Sequence, residues 1–257
     1  IDLLSLSDLD ERRKVALVTT RSAWEAVGQW APLTIAWEAD IREATEPAWA
    51  SLAPGLRGEV VYAVGGGLAV DAAKYLASKR GLPLVCIPTA LSADAFLTWA
   101  SGVRKEGCVR YLETKPPDRL VVDLDVLVAA PTSVRAAGIA DVLSIATGCW
   151  DWAFAHEQGR TTPETDYVPY VASAAQAILQ GALDCAEAAG HGDPDGLRHL
   201  LDCLALEVQL CNQIGHARPE EGSEHYFAYA VENEVGHGRP HGDLVGPGIV
   251  LIAGIQE

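Results

Sequence analysis

Polar side chains suited to a divalent cation stand at three places in the second half of the sequence. Asp141 lies in AAGIADVLS, His225 in EGSEHYF, and His237 and His241 in GHGRPHGDLVG. One carboxylate and two imidazoles from three helices could hold a metal ion in the cleft between two domains, with positions left open for a substrate. His237 and His241 are four apart, but Gly238 and Pro240 between them break a shared helical face, so the two compete for one place. Each residue has a structural alternative. Asp141 could favour its helix N-terminus through the dipole, and a lone histidine in a helical protein is ordinarily a surface or satisfied core residue.

A second chemistry is written into EVVYAVGGGLAVDAAKYLA, residues 59–77. A buried strand (Val60–Val64) runs into Gly65, Gly66 and Gly67 and then into a helix carrying Asp71 and Lys74. Such a turn aims free backbone N–H groups and the positive helix end at one point, an anion site suited to a pyrophosphate. The stretch is not the G-x-G-x-x-G fingerprint, because position 70 is Val. Asp71 and Lys74 are three apart and share a helical face, so they can pair with each other or with a ligand. After the next strand, PTALSAD (Pro88–Asp94) offers Thr89 and Ser92 to a cofactor and Asp94 to a substrate hydroxyl. The alternative for that loop is local capping of the following element.

The elements that must position these residues change character once. Lys14–Thr19, Leu33–Trp37, Val60–Val64, Leu82–Ile87 and Arg119–Val122 read as strands. Ser22–Gln29 and Ile41–Leu52 read as helices, and Phe96–Gly102 with Val109–Glu113 as a hairpin. Strands alternating with helices predict a parallel sheet covered on both faces, with ligands beyond the carboxyl ends of its strands. After Pro131 only helical periodicity remains: Ser133–Glu157, Asp166–Ala189, Gly196–Ile214, Gly222–Glu234 and Asp243–Ile255. We expect an α/β nucleotide-binding domain over residues 1–131 and an all-helical metal-binding domain over 132–257.

Composition narrows the partners. A formal charge of −16 over 257 residues argues against nucleic acid and anionic membranes. No apolar run approaches membrane-spanning length and no signal region stands at the N-terminus. Six scattered cysteines without a C-x-x-C pair read as reduced thiols of a cytoplasmic protein. Methionine is absent altogether, position 1 included, and the chain stops at residues 253–257 inside an apolar pattern. Both features are expected of a sequence from which methionines and a C-terminal continuation are missing, and true spacings would then be longer than those read.

Taken together and in this order, the segments resemble the metal-dependent polyol dehydrogenases related to dehydroquinate synthase, in particular the sn-glycerol-1-phosphate dehydrogenase and glycerol dehydrogenase branch. VGGGLAVDAAKYLA is similar to that family's cofactor turn and IPTALSADAF to its next strand and loop. RAAGIADVLSIATGCWDW resembles its first metal-ligand helix, and EGSEHYFAYAVE and HGDLVGPGI resemble the segments that supply two histidine ligands. The resemblance implies that Gly65, Gly66, Gly67, Asp71, Lys74, Thr89 and Ser92 lie at NAD or NADP and that Asp94 lies near substrate. It further implies that Asp141, His225 and His241 hold Zn2+, with Fe2+ or Ni2+ as alternatives. His241 is preferred over His237 because it opens the His-Gly-acid-x-Val pattern. The implied activity is hydride transfer between nicotinamide and a small polyol or polyol phosphate, such as glycerol or glycerol-1-phosphate, in a homo-oligomer. His237 is then a candidate proton relay.

Two departures are visible. Ala140 stands where glycine is common, and the loop lacks the Asn-Asp-Gly of archaeal-type glycerol-1-phosphate enzymes, which weighs on the phosphorylated substrate. Against a dehydroquinate synthase-like cyclase stand Lys74, where those enzymes have glycine, and Asp141, where they have glutamate. Their Asp-Ser-x-x-Gly-Gly-Lys stretch is also absent. A non-catalytic nucleotide-binding homologue is the third reading, opposed by retention of all three ligand positions. Thr19-Thr20-Arg21 after the first strand offers no acid, and Arg21 could attract a 2′-phosphate, so NAD and NADP both stay open.

Overall fold

The structure, a computed structural model, describes residues 1–106, 108–235 and 239–257; His237 lies outside the described residues. Two compact units are present, Ile1–Leu91 with Ala95–Pro131, and Ser92–Asp94 with Thr132–Glu257.

The first unit is built on eight strands: β1 (Asp2–Leu3), β2 (Val15–Thr19), β3 (Ile35–Asp40), β4 (Val60–Gly65), β5 (Leu84–Pro88), β6 (Ala100–Lys105), β7 (Cys108–Glu113) and β8 (Arg119–Val122). Six of them form one sheet in the order β1-β8-β5-β4-β2-β3, every pairing parallel. β2, β4 and β5 are wholly buried and apolar apart from Thr19 at the end of β2, as a sheet covered on both faces requires. The edge strand β3 instead alternates: Ile35 and Trp37 are half-buried and Ala39 buried, while Ala36, Glu38 and Asp40 are exposed. Leu17, Tyr62, Val64, Ile87 and Val121 form the centre of the core. β6 and β7 pair as the separate antiparallel hairpin.

Helices α1 (Arg21–Val27), α2 (Glu46–Leu52), α3 (Gly67–Arg80) and α4 (Leu124–Ala129) complete this unit. The second predicted helix begins at Glu46 rather than Ile41, because Thr45 caps it through the Ala48 N–H and Pro47 sits in its first turn. The hairpin starts at Ala100 rather than Phe96, since Thr98 and the carbonyls of Ala95 and Ala100 turn inward to Lys74. β1 and α4 escaped the sequence reading. Asp123 caps α4 and also accepts the Leu6 N–H at 2.7 Å, a contact 117 residues apart that no local pattern announces.

The second unit is helical throughout: α5 (Thr132–Arg135), α6 (Ile139–Leu143), α7 (Ile145–Glu157), α8 (Pro169–His191), α9 (Pro194–Ile214), α10 (Ser223–Val235) and α11 (Gly242–Gln256). α5, α6 and α7 occupy what the periodicity reads as one helix. The break between α6 and α7 falls at Ser144, whose hydroxyl donates to the carbonyls of Asp141 and Glu220 and so competes with the helix ladder. α8 and α9 join through Gly192, at φ 81°, and the capping Asp193, forming an antiparallel pair. Among the described residues no helix is long and apolar enough to cross a membrane. All six cysteines are free, and five of them are buried; Cys108 is exposed.

Candidate metal centre and dinucleotide turn

The glycine turn lies where the order of the sheet reverses, because the chain passes from β2 outward to β3 and then back to β4 on the other side of β2. Ligands of open parallel sheets collect at such a point, beyond the carboxyl ends of the strands. Thr19, last in β2, donates its hydroxyl to the Val64 carbonyl at 2.7 Å and ties the two strand ends together. Gly65 has φ 143°, and a Cβ there would stand 3.2 Å from the Ala69 methyl and 3.4 Å from that of Ala23, so the turn needs glycine. Gly66 is the N-cap of α3 without side-chain capping, and the first turn carries no acidic residue. The positive end of a 14-residue helix is thus left for an external anion. Thr89 follows β5, with its N–H directed to the Gly65 carbonyl at 3.4 Å.

Asp71 and Lys74 pair with each other, Nζ to Oδ1 at 2.9 Å. Lys74 is wholly buried and also donates to Ala95 O (2.9 Å), Thr98 Oγ1 (3.0 Å) and Ala100 O. Its charge is taken up by the protein, where it ties α3 to the chain leading into the hairpin. The Ser101 hydroxyl adds a bond to the Asp71 carbonyl at 2.9 Å.

In the helical unit the structure brings Asp141, His225 and His241 together, one ligand atom from each lying within 4.8 Å of the others. Asp141 sits in the first turn of α6, 7% exposed, and neither carboxylate oxygen has a hydrogen-bond partner. His241 Nε2 stands 3.5 Å from its Oδ1. Burial, then the charge of Asp94, push the Asp141 carboxyl well above the usual carboxylate range, while His225 draws it down. An orphaned buried carboxylate facing two imidazoles fits a cation.

His225, in the first turn of α10, is equally buried, and its Nδ1–H donates to Glu224 Oε1 at 2.8 Å. Glu224 is itself held by the Gly222 N–H at 2.6 Å and the Thr147 hydroxyl at 2.6 Å. Burial pushes its carboxyl up, but the bonds from His225, Thr147 and Gly222 outweigh that and keep it below its ordinary value. This fixes the His225 tautomer and leaves Nε2 as the free donor for a metal. Asp151 anchors the start of the same helix by accepting the Ser223 N–H at 2.7 Å. His241 is the N-cap of α11, and a Cβ on the following Gly242 would fall 2.1 Å from the Ala137 carbonyl oxygen. Only glycine lets α11 start this close to the segment leading into Asp141.

Glu224→Gln should therefore leave the fold intact yet weaken divalent-metal binding by roughly 10–100-fold, because the imidazole loses its charged acceptor. A competition titration with a chromogenic chelator measures it, and an unchanged affinity would show that Glu224 does not orient His225.

Asp94 joins the helical unit through the short segment Ser92–Asp94, and it clusters with Glu207 of α9 and Glu220 rather than standing alone. Glu207, Glu220, Glu224 and Asp151 were not singled out from the sequence. Glu207 has a signal, a lone acid in the apolar run ALEVQL, and so has Asp151, a lone acid between Trp150 and Trp152; Glu220 and Glu224 lie in the polar stretch EEGSEH, which announces nothing. Asp40 was also missed. It ends β3, accepts the Arg21 N–H at 2.9 Å and pairs with Arg42 at 3.0 Å. The Arg42 guanidinium, and then the Arg21 N–H, hold its carboxyl below the usual range.

Residues 5–131 match the family model described as iron-containing alcohol dehydrogenase. The chain is 33% identical over 235 residues to glycerol-1-phosphate dehydrogenase [NAD(P)+] of Aeropyrum pernix, covering 91% of this chain and 64% of that protein. It is 33% identical over 198 residues to the Bacillus subtilis protein of the same name, covering 76% and 49%. The chain thus spans less than two thirds of either relative. Among solved structures it resembles glycerol dehydrogenase from Schizosaccharomyces pombe, with a TM-score of 0.70, 20% identity and coverage of 95% of this chain and 65% of that one. It also resembles sulfoacetaldehyde reductase from Bifidobacterium kashiwanohense in complex with NAD+, with a TM-score of 0.68, 18% identity and coverage of 95% and 69%. At these identities the structural likeness speaks for the fold.

Proposed function

We propose, for a chain that fits the metal-dependent polyol dehydrogenase superfamily in sequence and fold, that it transfers hydride between NAD(P) and a small polyol. The observation that carries this reading is the convergence of Asp141, His225 and His241 around an orphaned buried carboxylate. Residues 1–131 are the nucleotide-binding domain and 132–257 the metal-binding domain, in a cytoplasmic protein whose thiols stay reduced.

When bound, the two cofactors would supply Lewis-acid polarisation of a substrate oxygen and a hydride acceptor or donor. The chain's own work is positioning. Asp141, His225 and His241 would hold the ion, and zinc suits this N2O set, with iron and nickel as alternatives. The turn at Gly65–Gly67 and the open end of α3 would take the pyrophosphate, with Thr89 and Ser92 beside the nucleotide. Asp40 offers an acceptor for ribose hydroxyls, while its neighbours Arg21 and Arg42 offer cations to a 2′-phosphate, so both NAD and NADP are accommodated. Asp71 and Lys74 support the cofactor helix through buried bonds.

Asp94 is suited to accept a hydrogen bond from a substrate hydroxyl. The acids around it favour an uncharged polyol, since a substrate phosphate would add negative charge to Asp94, Glu207 and Glu220 wherever no cation offsets them. A phosphorylated substrate is the second reading, and the names of the two relatives favour it. Zinc-loaded protein assayed with both cofactors against glycerol, dihydroxyacetone, dihydroxyacetone phosphate and the two glycerol phosphate enantiomers separates them. We expect turnover on the uncharged pair. Turnover confined to dihydroxyacetone phosphate and glycerol-1-phosphate would establish the second reading, and no turnover on any would sink both.

A further inference from the structure

Glu207, in the middle of α9, is 2% exposed, and neither of its carboxylate oxygens has a hydrogen-bond partner. Oε2 of Glu220 is likewise buried without one. Together with Asp94 they place one oxygen each within 4.8 Å of the others, all inside the helical unit. Two ligands on opposite sides of a hard cation stand about 4–5 Å apart, twice a bond of roughly 2.0–2.6 Å, so three oxygens this close can share one ion. Leaving the buried Glu207 and the enclosed oxygen of the half-buried Glu220 side by side without a counter-charge is costly, and a cation between them offsets that cost.

We propose that Asp94, Glu207 and Glu220 form a second, all-oxygen site for a hard divalent cation such as Mg2+, Mn2+ or Ca2+, separate from Asp141, His225 and His241. The donor chemistry divides the two sites. Two imidazoles and a carboxylate suit zinc, whereas three carboxylates offer nothing soft and select the hard ions. The geometry divides them as well, since no residue is shared. α9 supplies Glu207 from its buried face, between Leu204 and Val208, so the chain has placed an acid where the helix pattern asks for an apolar residue. Glu220 is held in place by its own backbone, whose carbonyl accepts the Ser144 hydroxyl. The proposal does not depend on the dehydrogenase reading.

The test is a titration of the zinc-loaded full chain with Mn2+, free Mn2+ being read by its paramagnetic resonance signal and zinc by elemental analysis of the same samples. One Mn2+ per chain should bind, and Glu207→Gln and Glu220→Gln should each weaken it at least tenfold while zinc content holds. Asp202→Asn, an exposed acid elsewhere on α9, should change nothing. Glutamine matches glutamate in shape and carries no charge, so both variants should fold, and melting gives a second readout. A hundredfold excess of Mn2+ over its dissociation constant should raise the wild-type melting temperature by about 5–10 °C and that of Glu207→Gln by about half as much or less. Absence of Mn2+ uptake by the wild type, or uptake indifferent to both glutamine substitutions, would overturn the second site, whatever the zinc content or the activity shows. Zinc lost with Mn2+ uptake retained would count against the first site alone.

Discussion

Asp141→Asn should have opposite effects on the protein with and without metal. In the metal-free protein the substitution removes a buried carboxylate whose oxygens have no hydrogen-bond partner, so the variant should melt higher than the wild type. With zinc the order should reverse. Losing an outer partner of a metal ligand weakens binding about 10–100-fold, so losing a ligand should cost at least a hundredfold in affinity, with turnover falling alongside. The pH dependence has a definite sign. Burial and Asp94 raise the folded carboxyl above its unfolded value of about 4, so folding takes up a proton in the interval between the two values. The wild type without metal should therefore lose stability relative to the variant as pH rises through that interval, and the two should converge below pH 4 or so. Calorimetry of both proteins, each with zinc and with chelator across that range, measures all of this. Equal zinc affinity in the two proteins would refute the assignment of Asp141 as a ligand.

Lys74→Met should be the most damaging single change in the α/β unit. The ammonium is completely enclosed, and its departure takes a donor from the Asp71 carboxylate, the carbonyls of Ala95 and Ala100, and the Thr98 hydroxyl, leaving only the weaker Thr98 bonds to the two carbonyls. Breaking a buried pair from one side costs about 3–5 kcal/mol, because the remaining charge stays buried. That corresponds to a melting temperature lower by roughly 10 °C in a protein of this size. Replacing both partners, Asp71→Leu with Lys74→Met, should recover part of the loss. A loss below about 1 kcal/mol, with cofactor affinity reduced instead, would mean that Lys74 serves the nucleotide directly and not the packing of α3.

What could be read from the sequence follows the range of the interactions. The parallel sheet was legible because buried strands such as VALV (residues 15–18) and VVYAVG are apolar without interruption. The glycine turn was legible because only glycine tolerates the backbone of position 65. The helical half was legible as helical, but the break at Ser144 depends on a hydroxyl reaching the carbonyl of Glu220, 76 residues away. Asp141, His225 and His241 were nameable by residue type and by resemblance, and the structure brings their ligand atoms together. The glutamates around them were not, because Glu220 and Glu224 stand in the polar stretch EEGSEH and differ from surface acids only in what they touch. Lys74 shows the converse. Its three-residue spacing from Asp71 revealed the pair, while its other acceptors lie 21 to 26 residues on.

The distribution of thiols gives the molecule a single chemical address. Burial pushes Cys86 up to about 12 and Cys149 and Cys203 to about 11, so at neutral pH they are neither ionised nor within reach of a reagent. Cys108, on the exposed face of β7, is the one cysteine open to solvent. A probe carried on maleimide chemistry would thus settle on the hairpin alone, leaving Asp141, His225 and His241 and the acids Asp94, Glu207 and Glu220 untouched. The five enclosed thiols would stay silent until the chain opens, so the alkylation count itself becomes a clock for unfolding.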